Sequence, residues 1–180
     1  MSDAMPPNYN YGAFGGQAGQ QAPSAPQRPA AVDRGFWLLI ASAVLSVIGL
    51  IFTVMEMNGD DFRSDLQAQS PELAPSDIDL AITVGITVAV IIAVISVAVS
   101  ILFAVLARKG YNWARIVITV FAVLSLIGLV GVNGSIGGIL GVLSILLNIA
   151  AVVMFFTAPA TAYFNEMKQY RQAKKLGYAG

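Results

Sequence analysis

LAITVGITVAVIIAVISVAVSILFAVL, residues Leu80–Leu106, contains no Asp, Glu, Lys, Arg or His, and it is followed at once by Arg108 and Lys109. A helix over this stretch is ~40 Å long at 1.5 Å per residue. That exceeds the ~30 Å hydrocarbon core of a bilayer, so the helix must tilt or project. Three further stretches, Phe36–Met55, Ile116–Val132 and Ile136–Ala158, are equally free of ionisable side chains. Each is long enough to span, the third of the four only just. An all-α fold follows: a polytopic, antiparallel bundle of four transmembrane helices occupying residues 34–165, with spans at about 36–55, 80–106, 116–132 and 136–158.

The connectors alternate in charge. Arg28 and Arg34 precede the first span, Arg108, Lys109 and Arg115 lie between the second and third, and Lys168, Arg171, Lys174 and Lys175 follow the fourth. The connector 57–79 carries Asp60, Asp61, Asp65, Glu72, Asp77 and Asp79, with Glu56 at its edge and only Arg63 to offset them. Short loops rich in Lys and Arg stay in the cytoplasm. Both termini are therefore expected inside, with the acidic loop outside a plasma membrane.

Composition agrees: 57% of the residues are hydrophobic and 11% charged, against ~25% charged in soluble domains. The net charge of zero conceals the asymmetry between the two faces. Cysteine and histidine are both absent, which removes disulfides, thiolate sites, haem or zinc imidazoles and a histidine base. There is no glycine-rich phosphate loop, zinc signature or nucleophile elbow. The acids Asp60, Asp61 and Asp65 lack the spacing of a calcium loop. No catalytic residue, cofactor, metal or nucleic-acid partner is expected. Ion-coupled transport normally leaves an ionisable residue within the membrane, and none is present.

Residues 1–33 are rich in Pro, Gly, Gln, Ala and Asn and are expected to be a disordered cytoplasmic tail, because they cannot bury enough apolar surface to offset the entropy of ordering. Pro23–Pro26 and Pro26–Pro29 have PxxP spacing, which any proline-rich tail produces. The first apolar run follows this tail without a small-x-small cleavage site, so it reads as a retained span. In the loop, Ser70-Pro71-Glu72 is expected to start a short helix, and Ser76 to cap the second span with Asp79 at the third position. In the inner turn Gly110 suits a C-cap and Asn112 an N-cap. Pro159 is expected to kink or end the fourth span, and residues 166–180 to form a basic cytoplasmic tail.

Helices in lipid associate through close packing of small residues. Ser42, Ser46, Gly49 and Thr53 form such a stripe in the first span, and Gly85, Ala89, Ala93, Ser96 and Ser100 in the second. Gly137, Gly141, Ser144, Asn148 and Ala151 form one in the fourth. The third span is poorer, with Ser125, Gly128 and Gly131. Asn148, the most polar group placed mid-membrane, is expected to lock the bundle by a hydrogen bond. Trp37, Arg108, Lys109, Trp113 and Arg115 are candidate interfacial anchors, with Arg115 reaching the headgroups by snorkelling. Asp60, Asp61 and Asp65 are the candidate contact with a partner.

The segment Arg108-Lys109-Gly110-Tyr111-Asn112-Trp113-Ala114-Arg115-Ile116-Val117, the Pro/Gln/Gly-rich tail and the closing Ala162-Tyr163-Phe164 resemble small four-span membrane proteins of actinobacteria. Some proteins of this size and shape are accessory subunits of the actinobacterial respiratory supercomplex, joining a cytochrome bc-type unit to a cytochrome oxidase. The resemblance implies origin and topology. Without His or Cys, a place in such an assembly would be structural. The expectation is a non-enzymatic accessory or scaffolding subunit whose partners are lipid and other membrane subunits. The alternative is a small channel or transporter-like protein for an uncharged or lipidic solute.

Because the chain has no native cysteine, single cysteines report topology without interference. A membrane-impermeant maleimide applied to intact cells should label Ser64→Cys and neither Ser24→Cys nor Ala173→Cys. Labelling at Ala173→Cys would reverse the assignment.

Overall fold

The structure, a computed structural model, describes residues 24–130 and 134–175. The tail 1–23, positions 131–133 of the outer turn and span three, and residues 176–180 lie outside the described residues. The described residues form helices joined by short turns, with no strand among them. Helix α1 runs Ala30–Met57, α2 Asp60–Gln69, α3 Pro75–Arg108, α4 Asn112–Ser125, α5 Ile136–Phe155 and α6 Ala158–Lys175. A 3₁₀ turn, Leu126–Leu129, extends α4. Four of these elements are long and apolar enough to cross a membrane: α1, α3, α4 with its 3₁₀ extension, and α5. They form a ring in which α1 packs against α5 and α3, and α4 against α3 and α5.

The α1–α5 seam is the most extensive contact, and glycine makes it possible. A Cβ on Gly137 would sit 2.5 Å from Thr53 Oγ1 and 3.1 Å from the Gly49 carbonyl oxygen. A Cβ on Gly49 would lie 3.3 Å from Leu140 Cβ and 3.4 Å from the Gly137 carbonyl oxygen. Gly141, expected on the packing face, has open space where its own side chain would lie. The tight approach is centred one turn earlier, on Gly137, and Gly141 contributes only its backbone nitrogen, 3.8 Å from where a Gly49 Cβ would be.

The buried core lies at the basic end. Val32, Phe36 and Leu39 of α1 meet Ala104 and Ala107 of α3, Ala114 and Ile118 of α4, Ala151 and Phe155 of α5, and Ala160, Tyr163 and Phe164 of α6. Gly35 admits the Phe155 ring, whose Cε1 is 2.9 Å from a Cβ built there. By contrast α3 is buried only near its ends, at Ile78, Ile82, Ala104 and Ala107. Its middle is half-buried along one face, at Gly85, Ala89, Ala93 and Val97.

Several boundaries differ from the sequence expectation. Helix α1 starts at Ala30, inside the expected tail, because Val32 is fully buried in the core. The short loop helix ends at Ser70 rather than starting there. Gly59 opens it, and Asp60 and Asp61 sit in the first turn, where the helix dipole favours anions. Pro75 takes the first position of α3 with Ala74 before it, so Ser76 lies inside the helix instead of capping it. Tyr111 rather than Asn112 precedes α4, a one-residue difference within the spread of helix-end assignments. Gly110, at φ 80°, provides the left-handed position that ends α3. Helix α5 stops at Phe155, and Pro159 falls in the first turn of α6, where its missing N–H costs nothing. The expected basic tail is thus helical to Lys175.

Gly137→Val should overpack the seam and destabilise the bundle by about 1–3 kcal/mol. Gly141→Ala should stay within about 0.5 kcal/mol of the native chain. Thermal unfolding in detergent, followed by circular dichroism, measures both. Equal losses would displace the closest approach from Gly137.

Candidate functional site

The stripes of α1 and α5 meet in a hydrogen-bonded network at mid-membrane. Asn148 Nδ2 donates to Ser42 Oγ at 2.7 Å, and Ser42 Oγ donates to the Ser144 carbonyl at 2.9 Å. Ser46 Oγ donates to Ser144 Oγ at 3.0 Å, which in turn donates to the Gly141 carbonyl at 3.1 Å. Ser42 and Ser144 are buried. Four side chains from two helices are therefore linked by hydrogen bonds within the apolar spans, where unpaired polar groups are costly.

The network forms one wall of a cleft of about 100 Å³, whose opposite wall is the middle of α3, with Ala93, Ser96 and Ser100 facing Ser42, Ser46 and Asn148. Thr83 and Thr87 on α3 return their hydroxyls to the Asp79 and Thr83 carbonyls. Ser96 and Ser100 have no hydrogen-bond partner among the described residues, and the Asn148 carboxamide oxygen accepts none. Gly85 is half-buried, with Met57 Cε 3.7 Å from where its Cβ would be, and Ala89 is half-buried as well. The α3 stripe is thus divided: Gly85 meets Met57 of α1, while Ala93, Ser96 and Ser100 line the cleft.

At the basic end, α6 clasps the α3–α4 turn. Asp33 Oδ1 accepts from Arg108 Nε at 2.9 Å and from Arg28 Nη1 at 3.3 Å. The Arg108 guanidinium lies 4.5 Å from the centre of the Phe36 ring. Its carbonyl accepts from Tyr163 Oη at 3.3 Å and from Arg28 Nε at 3.1 Å. Partial burial opposes the charge of Arg28, but Tyr163 and Asp33 outweigh it and hold its pKa above the ordinary arginine value. Arg115 is half-buried against aromatic rings. Its guanidinium lies 4.9 Å from the Phe156 ring centre and 5.1 Å from that of Phe164, and its Nη1 donates to Thr161 Oγ1 at 3.2 Å. It ties α4 to the α5–α6 elbow. Trp37, Lys109 and Trp113 are exposed.

At the acidic end Asp60, Asp61 and Asp65 are exposed on α2. Arg63 reaches Asp79 Oδ1 at 2.9 Å, Asp60 Oδ1 at 3.6 Å and the Asn58 carbonyl at 2.7 Å, pinning α2 to the start of α3. The described residues hold no cluster of carboxylates arranged as a metal site. Compared with protein-family models, curated proteins and solved structures, the chain matches none.

Sequence reasoning singled out Ser42, Ser46, Ser144 and Asn148, and the fold joins them. It missed the clasp, because Asp33 lay in an expected tail and Tyr163 and Arg171 at the close of the chain. The apolar spacing Ala160, Tyr163, Phe164, Met167 was the available signal for α6.

A double-mutant cycle between Ser42→Ala and Asn148→Leu should give a coupling of ~0.6 kcal/mol, up to ~1.7, in detergent unfolding. Purely additive losses would remove the hydrogen bond from any role in holding α1 to α5.

Proposed function

We propose that this multi-pass membrane protein is a non-enzymatic accessory subunit, which seats a transmembrane helix of a larger complex against the open middle of α3. The observation that carries the reading is the pair of unpartnered hydroxyls, Ser96 and Ser100, beside an unfilled Asn148 acceptor at mid-membrane depth. Polar groups there are costly unless satisfied, and a neighbouring helix satisfies them by close approach of small residues. The size of the cleft speaks against the channel or carrier reading. At about 100 Å³ it has room for a few waters, each needing ~30 Å³ in liquid, and its walls carry no charge.

In the same reading the basic end lies in the cytoplasm and the acidic helix α2 outside a plasma membrane, following the positive-inside rule. Exposed Asp60, Asp61 and Asp65 then form a second contact, with a basic outer surface of the partner. The actinobacterial resemblance makes the respiratory supercomplex the first assembly to test, with this chain as a structural member.

Replacing both Ser96 and Ser100 by Leu should leave insertion unchanged, because both are exposed and uncharged. It should lower recovery of stoichiometric partners from mild detergent by on the order of tenfold, equivalent to ~1.4 kcal/mol. Unchanged partner recovery would remove α3 from the interface. Isolation of the native chain as a homogeneous homo-oligomer with an aqueous pore would favour the channel instead.

A further inference from the structure

Where the first turn of α4 meets the outward face of α6, the surface folds into a pocket of about 380 Å³. Tyr111, Asn112 and Trp113 form one side, and Lys168, Arg171 and Lys175 the other. The last three recur at steps of three and four, so they stand on one face of α6. None of them takes part in an ion pair among the described residues, and no carboxylate lines the pocket. Three like charges thus converge on one concavity with nothing to balance them.

Arg171 is held in place before any ligand arrives. Its guanidinium stacks 4.1 Å from the Tyr111 ring centre, while Nη2 donates to the Gly110 carbonyl and Nε to the Met167 carbonyl at 3.0 Å. Helix α4 begins here without a side-chain cap; Ala114 N–H bonds the Tyr111 carbonyl, which leaves the N–H groups of Asn112 and Trp113 free for an anion. Tyr111 and Trp113 are exposed at 37% and 50%, and aromatic residues with such amphipathic rings mark headgroup depth.

We propose that this pocket binds the phosphate of an anionic phospholipid. Lys168 and Lys175 supply charge, Arg171 a pre-set guanidinium, and the α4 N-terminus backbone donors. The site is separate from the α3 cleft and does not depend on which way the chain faces the membrane.

The test uses the full chain carrying Trp37→Phe, so that Trp113 is the only tryptophan, reconstituted in phosphatidylcholine vesicles containing acyl-brominated phosphatidylglycerol or acyl-brominated phosphatidylcholine. Quenching of Trp113 should show preference for the anionic lipid on the order of three- to tenfold. Lys168→Gln with Lys175→Gln should reduce that preference to near unity. Lys109→Gln with Lys174→Gln, which removes the same charge outside the pocket, should retain it. Equal loss in both double variants would mean diffuse surface attraction and would overturn the site, as would no preference in the parent. Millimolar inorganic phosphate should not displace the lipid. Displacement at that concentration would reassign the pocket to a free anion.

Discussion

Backbone-to-backbone approach of α1 and α5 at Gly49 and Gly137 is the contact from which the remaining architecture follows. Lipid tails are as apolar as leucine, so hydrophobic burial cannot drive two helices together inside a bilayer. Dispersion at short range and internal hydrogen bonds must do so. With no side chain at Gly137, Thr53 and the Gly49 carbonyl come within van der Waals contact. That approach brings the next turns of each helix near enough for Ser42, Ser46, Ser144 and Asn148 to bond. A larger residue at the glycine would separate donors from acceptors and leave both in hydrocarbon. Packing and polar satisfaction are therefore one event in this seam.

The basic end works by different physics. Here, close to headgroups and water, charge and aromatic rings replace small-residue packing. Arg108 and Arg115 each sit against an aromatic face, with Asp33 and Thr161 as polar partners. Cation–π contacts of this kind contribute about 0.5–2 kcal/mol, depending on desolvation. Through Tyr163, Phe164 and Arg171, α6 covers the α3–α4 turn and fixes the ends of four helices at one level. The φ of 80° at Gly110 is part of this arrangement: a Cβ there would strike Met167 at 2.8 Å, so glycine serves both the turn and the cover.

The spans were legible because hydrocarbon forbids ionisable groups, and their absence over long runs such as Leu80–Leu106 is hard to mistake. The seam residues Ser42, Ser144 and Asn148 were legible for the related reason that small and polar positions recur at helical spacing. Which stripe meets which was not legible. Gly141 and Gly137 lie one turn apart on the same face by spacing alone, and only the rotation and crossing of α1 decide that Gly137 takes the contact. The partners of Arg115 were not legible either, since nothing local reveals that Phe156 and Phe164 return to it from the α5–α6 elbow. Helix α6 was hidden by its own charge. Lys168, Lys174 and Lys175 obscured the apolar spacing of Tyr163, Phe164 and Met167.

Equal stripes with unequal outcomes show why α3 stands open. Its small residues match those of α1 and α5 in kind, yet only α1 and α5 close on one another. The difference lies at the ends of the helix. Ile78 and Ile82 pack near its start, the Arg63–Asp79 pair ties that end to α2, and Ala104 and Ala107 are buried near its finish. A helix of 34 residues held at both ends cannot bow inward sharply, because smooth helix curvature has a radius of ~60–100 Å and sharper bends need Pro or a disrupted ladder. Between those ends Ala93, Ser96 and Ser100 line a cleft with α1 and α5, so the same composition that produces close contact in one seam leaves a narrow gap in the other. The hydroxyls of Ser96 and Ser100 are left facing that gap, so the geometry of the two ends, not the stripe itself, determines that α3 has a face to offer.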